Sequence, residues 1–274
     1  MKISLLSLCL IWITAIAIAS SPAVSFAAPF ELSATAKAAF NKIVEKAEPV
    51  TAALLRQHYA DLQTLQRQET DWDAKIKALH YRNESKDKEL RKRIKGIDAE
   101  HIRSLQAKLL ETEGKYKPLF DLYEAQKNQL RLAKALRNKE LTSIVNAQVE
   151  ITRIAVQAAN KEIKAKEDAV KKAKSAASAK MSAVRSILSA NEATAPQLKS
   201  VKGLASSLKK QFGTESKALS ASIRRGDAPG TSTSLARLLV YERQLLVYKA
   251  NHYGYEDSIS AVLAQAEAKL LSYK

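Results

Sequence analysis

The residues best able to do chemistry in this chain are its bases, and they come in clusters. Lys86, Lys88, Arg91, Lys92, Arg93 and Lys95 form one group, and Arg131, Lys134, Arg137 and Lys139 form a second. Lys161, Lys164, Lys166, Lys171, Lys172 and Lys174 form a third. The formal net charge is +17 and the sequence pI is about 9.8. Clustered ammonium and guanidinium groups hold an anionic polymer through many weak contacts that salt screens. The plain alternative is a solvated helix face. Acids interleave with the bases, as in Lys88-Glu89 and Lys166-Glu167, and such neighbours can pair at helix spacing.

Other chemistries find little support. None of His58, His80, His101 and His252 has a second histidine at a spacing that shares one helix face, and the only cysteine is Cys9. No Gly-x-Ser-x-Gly elbow occurs, and Gly226–Gly230 lacks the Gly-Lys-Ser/Thr ending of a phosphate-binding loop. The carboxylate pairs Glu111/Glu113 and Glu256/Asp257 fall where solvent-facing helix is expected. These features predict a non-enzymatic protein with no metal and no cofactor. Tyr241, Tyr248 and Tyr255 recur every seven residues, with His252 and Tyr253 beside them. They read as an interaction stripe for a partner, or as the seam of a bundle helix with hydroxyls reaching water.

The elements that would position these groups are helices. Gly (7) and Pro (6) are too scarce for the many turns of a sheet fold, and aromatics make up only 6%. The composition predicts an all-α chain: a long antiparallel helical hairpin, a coiled-coil stalk, with a small helical bundle at its base. Leu55, Leu62, Glu69, Ile76, Asn83, Leu90 and Ile97 are spaced by seven, with Leu65, Trp72 and Leu79 three residues after members of that series. Val149, Val156, Ile163, Val170, Ala177 and Val184 form a second such series, completed by Ala159, Ala173 and Ile187. An every-seventh apolar repeat makes the seam of a coiled coil. Glu69, Asn83 and Lys86 interrupt the first seam; such polar residues can fix register or partner choice, and the plainer reading is that the partner helix diverges there. Lys166 and Lys180 fall on the second seam and must snorkel.

Gly114 and Pro118 are the strongest punctuation within residues 50–192, so the reversal is predicted near 114–118. That fold-back would bring the first two basic clusters to similar heights near the tip. Residues 28–49 read as a lead and short helix capped by Ser33. Residues 193–274 read as C-terminal helices on the base, with Gly213 a kink and Thr231, Ser232 or Thr233 a cap.

The N-terminus carries Lys2, an apolar run from Ile3 to Ala19, and Ser25-Phe26-Ala27. This is the pattern of a signal peptide spanning 1–27 and cleaved after Ala27. The expectation is export, to the cell envelope or the extracellular space, with no membrane-spanning segment after cleavage. Export argues against cellular nucleic acid as the target. It favours an anionic cell-wall polymer or membrane surface, or else a protein client; a homo-oligomer is compatible with the seams. The function expected is a secreted helical scaffold that binds the envelope through its basic surface. The alternative is an exported holdase-like chaperone or adaptor that grips clients along the stalk.

Overall fold

A computed structural model describes residues 31–273, so the signal segment, Cys9 and the Ala27 cleavage site lie outside the described residues. The chain is all-α, a long antiparallel helical hairpin standing on a helical bundle. Six α-helices are described: α1 (Ala34–Lys46), α2 (Pro49–Lys95), α3 (Ala99–Ala135), α4 (Lys139–Leu188), α5 (Thr194–Arg225) and α6 (Ala228–Leu271). A short 3-10 segment, Ser189–Ala193, links α4 to α5.

Ser33 caps α1, its hydroxyl accepting from Ala36 N at 3.2 Å. The helix stops at Ala47, and Pro49 begins α2 in the first turn, where its missing N–H removes no helical bond. The base is built from α2, α5 and α6. Helices α2 and α6 run parallel, as the pairs Asp73–Lys249, His80–Glu256 and Arg93–Glu267 show. α5 runs antiparallel to both. At one end α1 closes the bundle: Phe40, Ile43 and Val44 pack with Leu55, Leu62, Leu219, Ile223, Leu235 and Leu238. At the other end Leu90, Ile94 and Ile97 meet Val184 and Leu188 of α4 and Leu263, Ala266 and Leu270 of α6. This second cluster is where the stalk is rooted.

The first predicted seam is buried, but chiefly against α6, with α5 joining near Leu55 and Leu62 and α4 meeting it only at Leu90 and Ile97. Leu55, Leu62, Ile76, Leu79, Asn83, Leu90 and Ile97 are all buried. The chain then breaks at Gly96-Ile97-Asp98, with Asp98 in the left-handed region at φ 54°, and α3 leaves the bundle as the outgoing arm of the stalk. Lys180 of the returning arm holds Asp98 Oδ2 at 2.7 Å. The second predicted seam is also buried: Val149, Val156, Ala159, Val170, Ala177 and Val184 face inward. Val184 joins the root cluster, and the others lie along α3, whose Leu105, Leu109, Tyr116, Leu119, Tyr123 and Leu130 are half-buried in turn. Large side chains on one arm thus meet small ones on the other, which allows close approach. Tyr116 donates to Glu162 Oε2 across the arms at 2.5 Å.

The reversal predicted near 114–118 is not there. Gly114 and Pro118 lie inside α3, and the turn is at Leu136-Arg137-Asn138. The physical reason is their spacing. A proline ring crowds the carbonyl four residues back, and that residue is Gly114, whose lack of a side chain lets the backbone adjust. Both are exposed, so the carbonyl that loses its partner meets water. The hairpin therefore spans 99–188 instead of 50–192, and α2 belongs to the base. Gly213, expected to kink its helix, likewise sits within the continuous α5.

At the α5–α6 corner Gly226 takes φ 70°, a conformation that disfavours any Cβ. Asp227, not Thr231, Ser232 or Thr233, caps α6, its side chain accepting from Gly230 N at 2.9 Å. A Cβ on Gly230 would fall 2.2 Å from Asp227 Oδ2, so the cap also needs glycine there. Gly226→Ala is expected to cost about 1 kcal/mol. A melting temperature lowered by roughly 2–4 °C, followed by circular dichroism, would register it.

Candidate functional site

The two basic clusters end up at opposite ends of the stalk, contrary to the expectation that a fold at 114–118 would bring them together. Between them lies the 37-residue α3, roughly 55 Å at about 1.5 Å per residue. The cluster at the root is largely neutralised. Lys86 pairs with Glu267 at 2.7 Å, Lys88 with Glu84 at 2.7 Å, and Arg91 with Asp87 at 2.6 Å. Arg93 reaches both Glu89 and Glu267. The hydrogen bonds from Lys86 and then Arg93 hold the Glu267 carboxyl below its ordinary range, as Lys88 does for Glu84. Of the six residues, only Lys92 and Lys95 have no carboxylate within 4 Å among the described residues.

The cluster at the tip is different. Between Glu124 and Glu140 the chain carries Lys127, Arg131, Lys134, Arg137 and Lys139 and no acid. Lys127 pairs with Glu124 at 2.9 Å. Among the described residues no carboxylate lies within 4 Å of Arg131, Lys134, Arg137 or Lys139. Three of these four surround a shallow depression of about 730 Å³ at the turn, completed by Thr142, Ser143 and Asn146. Asn138 caps α4 there, accepting from Leu141 N at 3.0 Å, so the positive end of a 50-residue helix also points into this region. Arg137 takes φ 53°, where Gly or Asn is the easier residue. The hairpin apex thus holds a guanidinium at a position costing about 1 kcal/mol of backbone strain.

The Tyr241, Tyr248 and Tyr255 stripe is half-buried along the edge of α6, and neighbouring Tyr253 meets Trp72 edge-on at 5.5 Å. Each tyrosine precedes a member of the α6 seam: Glu242, Lys249 and Glu256. That seam was not visible as one in the sequence, because its middle is polar. Glu242 and Glu256 are each 1% exposed. Glu256, expected to face solvent, instead accepts from Asn83 Nδ2 at 3.0 Å and from His80 Nδ1 at 2.8 Å. Its backbone carbonyl takes a second bond from Asn83 at 2.7 Å. One turn back, His252 is held down to about 4, first by burial and then by the charge of Lys202.

Further along the bundle, Lys249 pairs with Asp73 and lies 3.6 Å from Glu69, while Lys209 of α5 reaches Glu69 at 2.7 Å. Burial, the largest single influence, lowers Lys209, but its hydrogen bond to Glu69 and the charges of Glu69 and Asp73 together outweigh it and leave the ammonium above its usual range. Burial, and then the neighbouring Glu69 charge, push Glu242 up to about 8. With Glu242 protonated, two ammoniums and two carboxylates balance in this layer. Glu69 and Asn83, expected to mark a diverging partner, are therefore the points where α2 is locked to α5 and α6. Among the described residues no group of histidine and carboxylate side chains is arranged to hold a metal ion, and no helix is long and apolar enough to cross a membrane.

The third cluster, Lys161, Lys164, Lys166, Lys171, Lys172 and Lys174, lies along α4 between the tip and the root, mostly exposed and interleaved with Glu162, Glu167 and Asp168, and among the described residues none of its lysines has a carboxylate within 4 Å either. The fold and its surface define a stalked helical protein with an acid-free basic patch at its far end. The chain matches no protein family, no characterised protein and no solved structure.

Proposed function

We propose that this is a non-enzymatic, exported scaffold protein that holds an anionic polymer or surface of the cell envelope with the tip of its hairpin. The observation carrying this reading is the acid-free apex, where Arg131, Lys134, Arg137 and Lys139 have no carboxylate partner among the described residues while the root cluster is mostly paired. Exposed charges with no internal partner are free to neutralise an external polyanion. The strained Arg137 supports the same reading, since backbone strain kept against an easier alternative tends to mark a working position. The reading favours the second cluster over the first, which is mostly paired, and over the third, whose lysines alternate with Glu162, Glu167 and Asp168.

The test is retention on envelope material from the producing cell, eluted with a salt gradient. Replacing Arg131, Lys134, Arg137 and Lys139 by Gln should weaken retention by roughly ten- to a hundredfold at physiological salt, after screening of about 1 kcal/mol per basic residue near an anionic surface. Replacing Lys88 and Arg91 by Gln should change it little. Arg137→Gly should raise stability and still weaken retention, a combination that a purely structural arginine would not give. Equal loss from both cluster variants, or retention insensitive to salt, would sink the reading.

A further inference from the structure

The outer face of the hairpin is two-sided in a way that the basic tip does not explain. Both arms follow a heptad with the buried seam at positions a and d. On α3, Tyr116, Tyr123 and Leu130 take position a, and Leu119, Gln126 and Ala133 take position d. On α4, Thr142, Val149 and Val156 take position a, and Val145, Thr152 and Ala159 take position d. Of the charged residues of the distal half, Lys127, Arg131, Lys134, Lys139 and Arg153 with Glu124 and Glu150 fall at b and e, Glu140 falls at f, and Arg137 sits in the turn itself. Positions c and g carry no charge from Leu122 to Leu136 or from Leu141 to Ala158. In an antiparallel pair the g positions of the two helices flank the same side of the seam, so the two c/g stripes form one continuous face.

That face is apolar and open to solvent. Leu122, Leu132 and Leu136 on α3 and Ile144, Ile151 and the adjoining Ile154 on α4 are 50–73% exposed. Together they leave on the order of 700 Å² of aliphatic surface uncovered. This exceeds the largest patch of a typical monomer, about 300–600 Å², and approaches one partner's share of a standard interface, about 800 Å².

We propose that a second copy of this chain covers the c/g face, so that two hairpins overlap antiparallel at their distal halves as a four-helix bundle. Three observations select this occupant. First, the stripe repeats with a period of seven, which a packed helix requires and a lipid surface does not. Second, the charges lie on the opposite side. Pairing two copies turns both basic faces outward and apart, whereas laying this face on an anionic membrane would turn them away from it. Third, the stripe is close to symmetric about its own centre. Gln129 stands seven residues from both Leu122 and Leu136, and Gln148 of α4 lies at the same height. A two-fold axis there sets Leu122 of one copy against Leu136 of the other and lets the glutamines pair across the axis, an isologous contact. The base bundles then lie at opposite ends, and the assembly carries two basic tips.

Sedimentation equilibrium on protein recovered from producing cells tests this between micromolar and hundred-micromolar concentration. The expected result is twice the chain mass, returning to one chain mass for Ile144→Glu with Ile151→Glu, whose helix content should stay that of the parent. Gln129→Cys should form an interchain disulfide under mild oxidation, and Glu113→Cys, away from the axis, should not. A single chain mass throughout, or a dimer untouched by the double substitution, overturns the proposal. So does a monomer that binds neutral phosphatidylcholine vesicles, or suppresses aggregation of an unfolded client, only while Ile144 and Ile151 are present. Those last outcomes would assign the face to lipid or to a client.

Discussion

Glu242→Gln is expected to stabilise the protein, and to do so increasingly as the pH rises. Glu242 is almost fully buried and titrates at about 8 in the fold, against 4.5 as an ordinary glutamate. Between those values the folded chain holds a proton that the unfolded chain has lost, so stability falls as pH rises from about 4.5 and levels off above about 8. At 1.36 kcal/mol per pKa unit the full cost is roughly 5 kcal/mol. Glutamine imitates the protonated acid and has no such cost. The gain should therefore be close to zero near pH 4, about 2 kcal/mol at pH 6, and largest above pH 8. His252 has the opposite slope. Its neutral form is held by the fold down to about 4, so its contribution is lost as pH falls from about 6.5 towards 4. The two slopes offset each other between about 4.5 and 6.5. The parent protein should then lose stability mainly from 6.5 to 8, and Glu242→Gln should flatten that limb. Urea unfolding at pH 5, 7 and 9 measures this directly; parallel profiles for the two proteins would show that Glu242 is ionised in the fold.

The sequence made this layer hard to see for a specific reason. Every-seventh apolar residues reveal a seam, and both long seams read from Leu55 to Ile97 and from Val149 to Val184 are buried in the structure. A periodic pattern says which face of a helix is covered, but not which helix covers it. The α2 seam was therefore matched along its whole length to α4, when α6 and α5 cover most of it and α4 meets only Leu90 and Ile97. The same limit hid the α6 seam. Its positions continue from Leu235 and Leu238 through Glu242, Leu245, Lys249, His252 and Glu256 to Leu263, but four of the middle five are polar. Polar residues at seam spacing on two helices, Glu69 and Asn83 on one and Lys249 and Glu256 on the other, were the available sign that they meet. The turn was missed because Gly114 and Pro118 outweighed a quieter signal. Asn138 followed by Glu140 has the form of a helix start, with a capping side chain and an acid in the first turn. The acid-free run between Glu124 and Glu140 stands in the sequence, whereas the root cluster was read there as a polyanion site although Glu84/Lys88, Asp87/Arg91 and Glu89/Arg93, each four residues apart, already offered its internal pairs.

The second large effect is expected at Lys249. Its side chain is 11% exposed, with the ammonium paired to Asp73 and near Glu69, and those two acidic side chains are themselves 15% and 16% exposed. In Lys249→Met the aliphatic length is kept and the charge removed, so packing is little disturbed. What remains is a buried pair of carboxylates facing one ammonium, Lys209, which reaches Asp73 only at 4.0 Å. Breaking a buried ion pair from one side typically costs about 3–5 kcal/mol, because the other charge stays buried without compensation. The melting temperature should fall by roughly 10 °C. The loss should be larger than that from Lys88→Met, where an exposed pair is worth about 0–1 kcal/mol. A second substitution separates charge from packing. Adding Asp73→Asn to Lys249→Met removes the stranded carboxylate and should recover a good part of the loss, giving a coupling of at least about 1 kcal/mol in the double-mutant cycle. Additive losses would mean that the two side chains act independently and that the bundle register does not depend on their pairing. Coupling would instead identify this layer as what fixes α6 alongside α2. Polar contacts within an otherwise apolar seam are satisfied in one register only, and a parallel pair of helices running the length of the base has other registers to reject.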